Sequence, residues 1–344
     1  MPLTTQLFRK INYISNSLLI VAVLLMSACD SQSDIEIIRA ISMLPRQTDY
    51  TRDFEEWLKQ VNKVGEGKLR IIFVGGPEAI PTFEQADAIR NGVVHMVFGP
   101  ATYYMGLLPE VEALFASTLS PMQTRENGGT TLMDRIHQEK LGVKYLARSL
   151  FIAFHLFTRE QPGLDKEGIP DLSSQLIRGG PVWRDFITSL GANYANVAGP
   201  DVYMALERNM IQGVGWPIIG LEDASWSQHL NYRIDPGVFS SDVGIIFNKK
   251  KWGKLSVQTR EILQAAAIEY ENNSYQRFQK LTDKLDKRMR ESGMSVITLK
   301  EEGMRKYRQL ANSVIWERLR QRSPQHYSAL RDKFYQAEAV PADD

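Results

Sequence analysis

The chemistry most legible in this chain is anion capture, carried by the segment from Gln175 to Trp216. A short apolar stretch, Gln175-Leu176-Ile177, runs into Arg178-Gly179-Gly180-Pro181 and then an amphipathic segment from Val182 to Leu190. Strand, cation, glycine turn and helix start, in that order, put a guanidinium at the carboxyl end of a strand beside the free N–H groups of a helix. Both features attract an anion, and the planar fork of Arg suits a carboxylate bidentately. A second unit follows, with Val202 to Arg208 reading as a helix and Ile211 to Trp216 as a strand. The two units predict one wall of a cleft for a small acid.

Other residues could join Arg178. Trp216 ends its strand where a cleft floor is expected, and is either a core tryptophan or a ring that stacks on a ligand. Tyr103 and Tyr104 follow the strand ending at Phe98-Gly99-Pro100, the end of an α/β sheet where ligands meet it. They are donors to a ligand or packing residues, and Phe154 stands with them. Gln47 and Thr48, just past the first strand, face either the cleft or solvent. Catalytic signatures are missing. The 5 histidines are scattered without ligand spacing, and there is no Gly-x-Ser-x-Gly elbow or nucleotide loop. No catalytic residue, metal ligand or cofactor is expected, and the Glu222-Asp223 pair reads as solvated.

The elements that must hold these residues alternate between strand and helix. Ile35 to Ile41 reads as a buried strand. Tyr50, Phe54, Trp57, Leu58 and Val61 recur at helical spacing, and Gly65 and Gly67 end that helix. Leu69 to Val74 is a second strand. Thr82 and Gln85 form a capping box for a helix whose inner face is Phe83, Ala86 and Ile89, with Gly92 at its end and a strand over Val93 to Phe98. Val238 to Phe247 is one long β-like run that returns the chain to the first domain. Ser256 to Ser292 is a single helical pattern of about 50 Å, ended by Gly293. Alternation of this kind predicts an α/β fold with mostly parallel sheet covered on both faces.

With 344 residues the chain is long enough for two domains, and 43% apolar and 24% charged residues are the proportions of a soluble globular protein. A net charge of +1 gives no basic field for nucleic acid. Arg9 and Lys10 followed by the apolar run Leu18 to Met26 read as a signal peptide, because the run is too short to span a bilayer, which needs about 20 residues. The single cysteine, Cys29, follows Leu25-Met26-Ser27-Ala28. This resembles a bacterial lipoprotein signal in which the cysteine is lipidated and becomes the mature N-terminus. An ordinary secretory signal is the alternative, since Met26 stands where Leu is more usual. Asp30 then implies retention at the inner membrane under the lipoprotein-sorting rule of some Gram-negative bacteria. Beyond Cys29 no thiol is left for a disulfide.

The order of motifs carries a family resemblance. Arg178 before its turn and helix, Val202-Tyr203-x-Ala205-Leu206-Glu207-Arg208, and Phe83-Glu84-Gln85-Ala86 through Met96 resemble the DctP-type solute receptors of tripartite ATP-independent periplasmic (TRAP) transporters. The resemblance covers nearly all of the mature chain. It implies a periplasmic-binding-protein-like fold of two α/β domains joined by a hinge, with a long helix spanning both. Residues 1–28 would be the lipoprotein signal peptide and 29–34 a linker. Domain I would take 35–150 and 238–256, domain II 151–237 and 293–338, and the spanning helix 257–292. Arg178 would clamp the substrate carboxylate, with Trp216, Tyr103, Phe154 and Gln47 around it.

The segment from Gly199 to Trp216 is most similar to the branch that binds 2-oxo acids. There a cation is held partly by a Glu directly before the tryptophan and by a Gln in a preceding cleft strand. Here those places read Gly215 and Phe151-Ile152-Ala153-Phe154-His155. Two oxygen ligands of a hard cation are thus missing, and only Glu222 or Asp223 stands nearby to replace them. The expectation is a metal-free, more apolar site for a carboxylate with a hydrophobic or aromatic body. The function implied is a lipid-anchored periplasmic receptor that delivers a small organic acid to TRAP membrane subunits. The rivals are a periplasmic hydrolase or lyase and a ligand sensor using the same cleft.

Overall fold

The computed structural model describes residues 35–197 and 199–336. Cys29, the leader over residues 1–28 and the linker over 29–34 lie outside them.

Two sheets form the frame. The first has the order β2-β1-β3-β12-β4, from β1 (Glu36–Ser42), β2 (Leu69–Phe73), β3 (Met96–Pro100), β4 (Val143–Arg148) and β12 (Val243–Asn248). The second has the order β13-β11-β5-β10-β8-β9, from β5 (Ala153–Thr158), β8 (Leu176–Arg178), β9 (Asn193–Ala195), β10 (Gly213–Pro217), β11 (Tyr232–Ser240) and β13 (Ser295–Thr298). A small ribbon, β6 (Gly163–Leu164) with β7 (Pro170–Asp171), stands apart. Each sheet is parallel except for one reversed strand, β12 in the first and β5 in the second.

Those reversed strands mark where the chain changes sheet. It crosses between β4 and β5 and again between β11 and β12, so the expected single run from Val238 to Phe247 is two strands, broken at Ser241 and Asp242. Inside one sheet a strand can stay straight; a chain passing to the other sheet has to leave the ladder. The crossings are tied together by the Ser241 N–H donating to the Ile152 carbonyl at 2.9 Å. Arg148, wholly buried, locks them further. Its guanidinium donates to the carbonyls of Ser241 (3.0 Å), Leu114 (2.7 Å) and Leu119 (3.2 Å).

The first helix, α1 (Asp49–Val64), begins where the Thr48 hydroxyl accepts from the Thr51 N–H and stops at Gly65. Its apolar face buries Phe54 against Phe98 of β3, rings stacked at 4.5 Å. The capping box expected at Thr82 does not form. That hydroxyl donates to the Met43 carbonyl, and the Gln85 amide donates to the carbonyls of Ser42 and Ile80. Tertiary partners outbid the local cap, and the segment starts as a 3-10 turn before α2 (Gln85–Arg90). Phe83 is 69% exposed rather than inward-facing.

Next come α3 (Glu112–Phe115), α4 (Pro121–Glu126) and α5 (Gly129–Lys140), then α6 (Arg184–Ser189), α7 (Val202–Glu207) and α8 (Lys249–Lys254). The long helix α9 (Val257–Glu291) runs 35 residues, about 50 Å, between its caps Ser256 and Ser292. It reaches both sheets. Tyr50 of α1 stacks on its Phe278, Trp57 donates to its Ala266 carbonyl, and Arg233 of β11 pairs with its Asp286. Glu222, read from sequence as solvated, instead pairs with Arg288 of this helix. The last helices are α10 (Glu301–Arg322) and α11 (Pro324–Phe334). Arg318 of α10 bonds Glu112 of α3 and Asp185 of α6, so the helix straddles the two sheets.

Candidate ligand site between the two sheets

A cavity of about 90 Å³ lies between the sheets, walled by residues from each and floored by the crossings. Tyr50, Thr102, Tyr103 and Phe115 come from the first sheet's side, and Phe154, Arg178, Trp183 and Trp216 from the second's. Ile152, Ser241 and Asp242 supply the crossings. Arg178, Trp216, Tyr103 and Phe154 therefore meet at one place. Gln47 does not join them: it is exposed in the loop before α1, where its carbonyl accepts from Arg52. Thr48 is spent on capping α1, and Tyr104 is buried with its hydroxyl on His137 at 3.1 Å.

Arg178 ends β8, with Val214 of β10 beside it on one flank and Ala195 of β9 on the other. It is only 8% exposed, yet among the described residues no carboxylate pairs with it. Its Nε donates to the Val197 carbonyl at 3.1 Å, and its guanidinium carbon lies over the rings of Trp216 (5.3 Å) and Trp226 (5.7 Å). Burial lowers its pKa from the ordinary arginine value. An arginine still keeps its proton. A desolvated cation held by two indole faces and one carbonyl, with no acceptor for its Nη groups among the described residues, has the chemistry to take an anion.

The helix start after the glycines contributes less than expected. It is one 3-10 turn, Pro181–Trp183, whose first residue has no N–H and whose Trp183 N–H is bonded to the Gly180 carbonyl. The charge of the site rests on Arg178.

Trp183 was not singled out in the sequence, and it shapes the site most. Its ring packs edge-on to Phe239 at 5.0 Å and near Phe154 at 6.0 Å. Two glycines admit it. A Cβ on Gly179 would meet Trp183 Cβ at 2.5 Å, and one on Gly215 would meet Trp183 Cε3 at 2.7 Å. Gly179, just past the end of β8, and Gly215 in β10 were the available signal. Thr102, Ser241 and Asp242 were missed as well, since nothing local marks a crossing strand as a cleft floor.

The lining has no histidine, cysteine or lysine, and Asp242 is its only acid. Among the described residues no group of three or more His, Cys, Asp and Glu could hold a metal ion. His155 is engaged elsewhere, its Nδ1 at 2.8 Å from Asp235.

Comparison with known proteins bears on this frame. Residues 166–321 match the sequence model of the bacterial extracellular solute-binding proteins, family 7, the DctP family. Over 278 residues, 75% of this chain and 72% of the relative, the sequence is 21% identical to a monocarboxylate 2-oxoacid-binding periplasmic protein of Nostoc. The fold is shared with an extracytoplasmic solute receptor of Bordetella pertussis that binds pyroglutamic acid, at TM-score 0.75 and 17% identity, over 87% of this chain and 99% of that one. It is shared too with a TRAP periplasmic solute-binding protein of Desulfovibrio desulfuricans solved with sn-glycerol-3-phosphate, at TM-score 0.76 and 17% identity, over 89% of this chain and all (100%) of the other. Over residues 166–321 the chain thus resembles the DctP-type bacterial extracellular solute-binding proteins, family 7, and it shares their fold.

Proposed function

We propose that this protein is the extracytoplasmic receptor of a TRAP-type transporter and carries a small organic acid in the cavity between its sheets. The observation that carries the reading is Arg178, buried, charged and without a carboxylate partner among the described residues. Trp216, Tyr103 and Phe154 give the ligand its apolar and aromatic surroundings; Gln47 has no part in the contact. The acids bound by related receptors, a monocarboxylate 2-oxoacid and pyroglutamic acid among them, support the substrate class.

The first sheet with its helices is one closing unit and the second sheet the other, hinged at residues 149–152 and 241–242, with α9 as the backing. Closure is a differential affinity of the ligand for the closed state, with no chemistry on the ligand and no metal. Lipidation at Cys29 would tether the receptor to the inner membrane beside its transporter subunits. Native mass spectrometry of the purified protein tests the reading: a co-purifying acid, recovered unaltered, supports a receptor. A turned-over product would make it an enzyme.

A further inference from the structure

Arg178 is not the only unspent polar group on the cavity. Ser241 and Asp242, at the second crossing, are each only 2% exposed and line the same space. The Ser241 hydroxyl is buried without a hydrogen-bond partner among the described residues. Its backbone is fully used, the N–H on Ile152 and the carbonyl on Arg148, so the free hydroxyl is not a consequence of a loose loop. Asp242 Oδ2 accepts from the Thr102 N–H at 2.5 Å, and the Thr102 side chain and Asp242's own N–H lie near the carboxylate, while no well-aligned hydrogen bond reaches Oδ1 among the described residues. Arg178 and Asp242 do not pair with each other, although Tyr103 is within electrostatic reach of both. The buried cation has no carboxylate partner among the described residues, and the buried acid feels only the charge of Arg148, which spends its guanidinium on carbonyls. Leaving such groups unsatisfied is costly unless a ligand completes them.

We propose that Ser241 and Asp242 form a second polar subsite, which takes a hydroxyl or ammonium group of the acid whose carboxylate Arg178 holds. The inference rests on the receptor reading above and narrows it. The ligand is a hydroxy acid or an amino acid, and a plain or 2-oxo acid of the same carbon frame is discriminated against. The Oδ1 of Asp242 can only accept while ionised, so a ligand hydroxyl or ammonium satisfies it and a ligand carbonyl opposes it. Sites built to bond a polar group reject analogues lacking it strongly, because their own buried groups are then stranded. The Ser241 hydroxyl can both donate and accept, and adapts to either ligand group.

The test is calorimetry at pH 8 on the purified protein with matched acids on several carbon frames of three to six atoms. For each frame the 2-hydroxy, 2-amino, 2-oxo and unsubstituted acids are titrated into wild type, Asp242→Asn and Ser241→Ala. On the frame that fits, the hydroxy or amino acid should bind wild type about tenfold or more tighter than the unsubstituted one. Which of the two leads identifies the donor. Asp242→Asn keeps an oxygen for the Thr102 N–H but turns a donor toward the ligand, so the preference should reverse in favour of the 2-oxo acid. Ser241→Ala removes a hydroxyl with no protein partner, so the fold should be undisturbed and only the substituted acids weakened. Equal affinity for substituted and unsubstituted acids in wild type would overturn the subsite while leaving the receptor standing. So would a uniform loss for every acid in Asp242→Asn. If no acid on any frame binds wild type, the receptor reading itself falls.

Discussion

The indole of Trp183 occupies the space that any side chain at position 215 would need, with its Cε3 at 2.7 Å from where a Cβ on Gly215 would sit. The residue before Trp216 is thus bare for a positive reason: the cavity floor there is an aromatic ring from the next strand's turn. A cation ligand at position 215 and Trp183 in its present place exclude each other.

Gly215→Ala should therefore weaken ligand affinity and cost about 1–3 kcal/mol of stability by overpacking. Trp183→Ala alone should also destabilise, by roughly 3–5 kcal/mol, through the cavity it leaves. Combined, the two should be less damaging than their sum, a coupling that urea unfolding of the double-mutant cycle would read directly. Strict additivity would show that the two residues do not compete for one space.

Arg178→Ala should lower affinity for the bound acid about a hundredfold or more, since it removes a desolvated charge-assisted pair. Arg178→Lys should recover little, because a point charge cannot replace the fork. Unchanged calorimetric affinity in a folded Arg178→Ala protein would take this residue out of the site.

Exhaustive chelation should leave ligand binding unaltered. The lining offers a cation only Asp242, whose Oδ2 is already bonded to the Thr102 N–H. Affinity that returned only with added sodium, calcium or another cation would contradict this.

Arg148→Met should destabilise by about 1–3 kcal/mol, because the buried Ser241 carbonyl loses its donor and those of Leu114 and Leu119 keep only Ser117. The loss should appear in the melting temperature with little change in the circular dichroism of the folded state, as the change touches no helix or strand register.

Acid should weaken the fold through His137. Burial holds its pKa down to about 4 from 6.5. Its Nδ1 lies on the Met133 carbonyl at 2.8 Å and its Nε2 on the Tyr104 hydroxyl. With the folded pKa below the unfolded one, the unfolded chain binds the proton first. Stability is then full above about pH 6.5 and is lost as pH falls toward 4, by an amount on the order of 3 kcal/mol. Urea midpoints between pH 7.5 and 4.5 should show this slope, and His137→Gln should reduce it to the share of His95, which burial also holds down to about 4. Glu110 acts in a lower window. Burial would raise its pKa, but bonds from Lys140, Ser323 and His326 hold it at about 2. Its share of stability is present above the usual carboxylate range and is lost below it.

Much of the frame was legible because local periodicity and tertiary burial agree. The faces of α1 and α9 and the end of β8 at Arg178 follow directly from apolar spacing and glycine. What sequence could not reveal is where partners come from a distance. Thr82 and Gln85 have the letters of a cap but spend their side chains on the chain near Met43. Gln47 follows a strand as Tyr103 does, yet the loop turns it to solvent. Trp183 reads as one more apolar residue of a helix until two glycines from separate strands are seen to cradle it. Ser241 and Asp242 sit in an unbroken β-like run, and only the change of sheet exposes them to the cavity.

The placing of β12 between β3 and β4 has a consequence for how the chain can be made. Residues 36–148 emerge from synthesis or export with a gap in their sheet, and the strand that fills it arrives only at residues 243–248. At about 5–20 residues per second, the edges of β3 and β4 wait for several seconds without their partner. Such edges are templates for pairing with other chains. The second sheet is completed later in the chain, by β13 at residues 295–298. Neither unit is a severable module, and a chain cut anywhere before residue 243 leaves both sheets unfinished. A holding chaperone during export is the natural requirement of this thread order, and the folding rate should be set by these late strands rather than by the helices.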